Sequence, residues 1–168
     1  MAGGASASAR GAFWALLAPL IIVGFAGLYA WAGATMGVID QIAKALLGLS
    51  KNSWVVLWAI NLLVFLAGYL LDAISIYCIF VPIIMPIMAA FGWNPVWIGV
   101  VLTVNIAIGQ VTPPVAVNLY VAANIARVSF DEIARAVWPF VLAMLGALVI
   151  VTEWPGLSTA LPALFGLK

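Results

Sequence analysis

The sequence predicts an all-α integral membrane protein: several transmembrane helices, a re-entrant helical hairpin and a helix broken at a proline pair. Three observations lead there. Of 168 residues, 67% are hydrophobic and only 7% charged, against about 25% charged in an average soluble domain. The charges gather at segment ends, at Arg10, then Asp40, Lys44 and Lys51, then Arg127, Asp131, Glu132 and Arg135, then Glu153 and Lys168. Between Lys51 and Arg127 the sole charge is Asp72; at about 20 apolar residues per span, that interval must cross or re-enter a bilayer several times.

Residues 1–10 read as a polar tail and residues 11–168 as one membrane domain. The apolar run from Gly11 to Gly33 exceeds the core of a signal peptide and reaches spanning length, so it is expected to be a retained membrane helix. The next stretch, with Asp40 and Lys44 four residues apart, is amphipathic. It suits either a helix along the membrane surface or the polar end of a span. Ser53 to Ala67 is an apolar helix stopping at Gly68, with Trp54 and Trp58 at its interfacial end. A helix from about Asp72 to Phe91 carries Pro82 and Pro86, each expected to kink or end it by removing a backbone donor. Gly92 and Pro95 mark a turn. Val96 to Gly109 is too short to span alone, "GQVTPP" breaks it, and Val115 to Ala126 continues beyond. Ser129 and Glu132 have the spacing of a capping box. A last span is expected over about Ala136 to Thr152, followed by a short interfacial helix.

Composition excludes most chemistry. There is no histidine, and Cys78 is the only cysteine, which removes imidazole bases, thiolate metal sites and internal disulfides. A net charge of +1 provides no basic field for nucleic acid. An intramembrane aspartyl protease needs two carboxylates at one site, and Asp72 has no acidic companion in its apolar interval. The protein is therefore not expected to be an enzyme. Its expected surroundings are a lipid bilayer, and no cofactor is expected.

Two features carry functional weight. Non-helical backbone at membrane depth persists only where it lines a cavity or is buried in protein, and "GQVTPP" is such backbone. Pro113 and Pro114 have no N–H, so carbonyls one turn earlier, at Gly109 and Gln110, lose helical donors and are available to a cation. Thr112 adds a hydroxyl, Gln110 a side-chain carbonyl and Asn118 an amide. A proline kink with a packing role alone is the alternative. The second feature is Asp72, since an intramembrane carboxylate marks an ion or substrate pathway by default. Gly68 permits a tight turn before it, and Ser75 lies toward the same face. The alternative places Asp72 in water as a helix cap, and a capped turn at the tip of a re-entrant hairpin satisfies both readings. Asn61 and Asn105 suit hydrogen bonds between helices, Asn105 also standing one turn before the break. Met85, Met88 and Cys78 read as packing.

The stretch "GYLLDAISIYCIFVPIIMPIMAAFGWNPVWIGVVLTVNIAIGQVTPPVAVNLYVAANIARVSFDEIARAVWPF" resembles the C-terminal portion of the DctM-like large permease subunit of tripartite ATP-independent periplasmic (TRAP) transporters. The likeness runs from about residue 35 to the end and rests on a Gly-x-x-x-Asp tip, a Pro-x-x-x-Pro helix, a Gly-x-x-Pro turn and an Asn-x-x-x-Gly-x-x-Thr-Pro-Pro break. The resemblance implies half of an inverted-repeat, elevator-type secondary transporter in a bacterial or archaeal inner membrane. It further implies sodium-driven import of organic acids, C4-dicarboxylates and sialic acids among them, with Na+ as the coupling ion. The implied partners are a small membrane subunit, a periplasmic substrate-binding protein and a chain carrying the other inverted repeat. Gly68 to Asp72 would then be the second hairpin tip, and Gly68, Gly109 and Thr112 would help hold sodium, with Pro113 and Pro114 in the broken helix. The sequence departs from the family in containing one hairpin and one break, and in lacking the Thr-Glu-Ala motif that follows a segment like "RGAFWALLAPLIIVG". The competing expectation is a truncated, non-transporting fragment or an assembly module of a permease.

Overall fold

A computed structural model describes residues 3–113 and 116–166. Among them every regular element is helical: α1 Gly3–Thr35, α2 Val38–Leu49, α3 Ser53–Gly68, α4 Ala73–Phe91, α5 Pro95–Val111, α6 Val117–Ala126, α7 Phe130–Ala136, α8 Trp138–Glu153 and α9 Pro155–Leu164. The expected all-α membrane class is what the chain forms. α1 begins at Gly3, inside the stretch read as a polar tail. The boundary near residue 10 is thus a change of polarity within one helix, since the alanine-rich start has high helix propensity and no proline.

Local chemistry sets most helix ends. Gly37 turns the chain in a left-handed conformation (φ 71°) ahead of the amphipathic α2, which is bent 70° from the preceding Leu20–Thr35 segment. The Asn52 side chain accepts from the Trp54 N–H at 3.0 Å and starts α3. Asn94 caps α5 by accepting from Val96 and Trp97 N–H groups at 2.8 and 3.3 Å, with Pro95 pre-set for the first helical position. Ser129 accepts from the Glu132 N–H at 3.3 Å, as the capping spacing predicts.

Pro82 and Pro86 do not end α4, which runs unbroken to Gly92. Their neighbours Ile83, Ile84 and Ile87 are buried in the core, so packing holds the helix across the two missing donors. Among the described residues, α4 alone is by itself long and apolar enough to cross a bilayer. The expected last span is realised as α8, which reaches that length only together with α7 across a 44° bend.

α5 is the central strut, touching α3, α4, α6, α8 and α9. Its Trp97, Ile98, Val101, Leu102, Ile106 and Ile108 join Val56, Leu57, Ile60 and Val64 of α3 in one core with the buried isoleucines of α4. Away from that core the surface is apolar: Leu20, Phe25, Trp31, Leu70, Ile125 and Leu164 are all exposed. A water-soluble monomer does not carry apolar surface on this scale, whereas a bilayer covers it.

Candidate functional site at the hairpin tip and the helix break

α3 and α5 run in parallel, as three contacts along them show. The Trp54 and Trp97 rings meet at 6.3 Å, the Asn105 side chain bonds Asn61, and Gly68 meets Gly109. The last contact is backbone on backbone. A Cβ added to Gly109 would sit 2.7 Å from the Gly68 Cα, and one added to Gly68 would sit 2.9 Å from the Gly109 Cα. No side chain fits there, so glycine at both positions brings the end of α3 against the start of the break.

Above this contact the tip and the break enclose a cavity of about 140 Å³ lined by Gly68, Tyr69, Leu70, Leu71, Asp72, Gln110 and Asn118. Four predicted residues, Gly68, Asp72, Gln110 and Asn118, therefore share one wall. Asp72 caps α4, its carboxylate accepting from the Ser75 N–H at 3.1 Å and from the Ser75 hydroxyl at 2.5 Å. Capping fixes where that charge points while leaving Asp72 exposed at the cavity rim. Across the break, the Asn118 amide N–H donates to the Gln110 side-chain carbonyl at 3.2 Å, tying α6 back to α5.

The remaining predicted residues stand behind this wall. Gly109 and Thr112 are buried, and Asn105 is buried among the core helices, outside the cavity lining. Pro113 begins the turn after α5, and Pro114 lies outside the described residues. The carbonyls of the break are partly re-satisfied. Thr112 N–H donates to the Gly109 carbonyl at 3.2 Å, replacing the donor that Pro113 lacks. The Ile108 carbonyl that this N–H would serve in a helix instead receives the Thr112 hydroxyl at 2.6 Å. Gly109 is thus less free than the sequence suggests, whereas Gln110 still faces a proline four residues on. Past the break, Ala116 is held at φ 34°, a left-handed conformation that a non-glycine residue adopts at a cost. The α6 N-terminus that follows has no side-chain cap.

Sequence reasoning named the tip and break residues but did not foresee the backbone contact between Gly68 and Gly109. The signal was a glycine near the end of each of two apolar segments that carry tryptophan near their start. The Asn61–Asn105 bond was legible, since isolated amides in apolar helices seek one another. Tyr77 and Thr103, whose hydroxyls bond at 2.7 Å between α4 and α5, gave no such signal.

A hairpin tip seated on a broken helix defines a helical membrane protein of the architecture used by secondary transporters. Residues 8–157 match the family described as "Tripartite ATP-independent periplasmic transporter, DctM component", and the chain belongs to that family. It is 36% identical over 148 residues to the C4-dicarboxylate TRAP transporter large permease protein DctM of Rhodobacter capsulatus, covering 88% of this chain and 34% of that one. It is 38% identical over 120 residues to the isethionate TRAP transporter permease protein DctMQ of Oleidesulfovibrio alaskensis, covering 71% and 19%. With the sialic acid TRAP transporter large permease protein SiaM of Vibrio cholerae it shares 30% over 138 residues, covering 82% and 32%. The chain spans about a third or less of the length of these curated relatives. Membership makes it a multi-pass protein of the inner membrane.

Proposed function

We propose that this chain contributes one hairpin and one broken helix to the sodium and organic-anion site of a TRAP permease. The observation that carries the reading is the cavity between the Gly68–Asp72 tip and the Gln110–Asn118 break. Its volume corresponds to about five water molecules at about 30 Å³ each, enough for a small cation with part of its hydration shell. The available donors are oxygens, namely the Asp72 carboxylate, the Gln110 backbone and side-chain carbonyls and the carbonyls of the tip, a set suited to Na+. Gly68 lines the site, and Gly109 and Thr112 shape it from behind. The uncapped N-terminus of α6 offers backbone N–H groups and a positive dipole end to a carboxylate. Cation and anion would thus meet at one break, which is how binding of one favours the other.

Depth supports the same reading. Trp54, Trp93 and Trp97 pack together, and indoles of this kind collect at the membrane interface. Gly68 lies 14 residues along α3 from Trp54, which is about 21 Å at about 1.5 Å per residue. A hydrocarbon core is about 30 Å thick, so the tip stops short of the far side.

The substrate class is an organic acid, because the relatives' names cover C4-dicarboxylate, sialic acid and isethionate permeases. The working assembly would add a small membrane subunit, a periplasmic binding protein and the remaining portion of the large permease, encoded in this polypeptide or in another. The decisive experiment follows the thermal stability of the purified chain in nanodiscs in Na+ against K+. A site filled at about 100-fold over its dissociation constant adds about 2.7 kcal/mol. The expected result is a Na+-specific rise in melting temperature that disappears in Thr112→Val. A well-folded sample with no Na+-specific rise, and no permease chain co-purifying from its native membranes, would instead establish a non-transporting fragment or assembly module.

A further inference from the structure

We propose that Asn61 and Asn105 form a register lock that positions the hairpin tip on the broken helix, a role that rests on the site reading above. Both are buried in the core between α3 and α5, at 3% and 0% exposure. The Asn105 amide donates to the Asn61 backbone carbonyl at 2.8 Å and to the Asn61 side-chain carbonyl at 2.8 Å. Along α3 the contacts with α5 fall at Trp54, Asn61 and Gly68, seven residues apart, opposite Trp97, Asn105 and Gly109.

Only the middle contact is directional about the helix axis. The ring contact at Trp54 and the apolar contacts of Leu57 and Val64 tolerate sliding, and the glycine pair excludes wrong registers by clash without holding the right one by any directional bond. A slip of one residue, about 1.5 Å, would bring the Cβ of Ala67 or Tyr69 toward the space that only Gly68 fits, and would open the tip cavity. Two hydrogen bonds from one amide, one of them to backbone, stop that slip because neither acceptor has a substitute in the apolar surroundings.

The pair is not arranged for greatest stability. The Asn61 amide nitrogen and the Asn105 side-chain oxygen have no partner among the described residues, although both are buried. Two well-packed leucines would leave no such groups behind, so what the amides supply is a single register. That is the function of a positioning residue: the asparagines touch neither ion nor substrate, yet they decide where Gly68 and Asp72 stand.

The test uses the full chain in nanodiscs, with Cys78→Ala and spin labels at Leu70→Cys on the tip and Val96→Cys at the start of α5, compared with Asn61→Leu/Asn105→Leu. Pulsed electron resonance reads the distance, and binding of radioactive Na+ is read on the unlabelled counterparts, in which Leu70 and Val96 are kept. The expected result is one narrow distance with both asparagines present. In the double leucine variant, still helical and monodisperse, the distance should broaden or shift by at least about 1.5 Å, with Na+ binding weakened about tenfold. An unchanged distance in the folded double variant overturns the lock, whatever happens to Na+. A changed distance in a protein that binds no Na+ even with both asparagines sustains the lock and removes the sodium-site reading. Should the double variant fail to fold, Asn105→Val removes the donor alone and is read against the same two outcomes.

Discussion

The two ends of the α3–α5 pair solve one problem in opposite ways. At the base, Pro155 cannot donate to the Val151 carbonyl one turn earlier, and the Trp97 indole N–H takes its place at 2.9 Å from another helix. Nearby, the Trp58 indole donates to Glu153 at 3.1 Å. At the tip, Pro113 cannot donate to Gly109, and the replacement is the backbone N–H of the preceding residue, Thr112, whose hydroxyl in turn donates to Ile108. A large aromatic borrowed across helices fixes one end in space. A local rearrangement beside two glycines leaves the other end next to the cavity. A carbonyl freed by proline is thus claimed by a distant side chain at one end and by a neighbouring residue at the other.

Breaking the tip should have the largest effect. Gly109→Ala places a methyl group 2.7 Å from backbone that cannot swing aside, and overpacking of this kind costs about 1–3 kcal/mol. We expect a lowered melting temperature together with loss of any Na+-specific rise, since the tip can no longer seat on the break. Breaking the base should separate those two effects. Trp97→Phe leaves the Val151 carbonyl without a donor, at a cost of about 1–2 kcal/mol. The Na+-specific rise should survive, because the variant lies far from the cavity. If Trp97→Phe abolished that rise, the two ends would be coupled and the contrast would fail. The smallest effect sharpens the role of Asp72. Asp72→Ala removes a cap and should cost about 1 kcal/mol, while Asp72→Asn keeps a capping oxygen and should leave stability near that of the parent. Loss of Na+ binding in Asp72→Asn would show that the charge itself serves the ion, and retention would confine Asp72 to capping.

Caps and turns were legible from residues alone because each depends on a few adjacent groups. Ser129 and Asp72 were read as caps and each accepts the backbone N–H three residues on, while Asn52 and Asn94, not singled out in the sequence, cap α3 and α5 by the same local chemistry. The break at "TPP" was equally local, because a missing N–H is a property of proline itself. The fate of the carbonyls was not. Whether Gly109 stays free depends on Thr112 folding back in a tight turn, and whether Val151 is satisfied depends on a tryptophan 54 residues away. The continuity of α4 through Pro82 and Pro86 was likewise decided by its buried isoleucines packing on α3 and α5.

The amino-acid sequence by itself determined that this chain lives in a membrane, where several of its helices are capped or broken, and which residues are too polar or too irregular for lipid. Those are matters of composition and of neighbours within a turn. The tertiary structure decided that Gly68 lands on Gly109, that Asn105 reaches Asn61, and that Asp72, Gln110 and Asn118 face one cavity. Such contacts join segments more than 30 residues apart, and no local pattern fixes the parallel register of α3 on α5 that creates them.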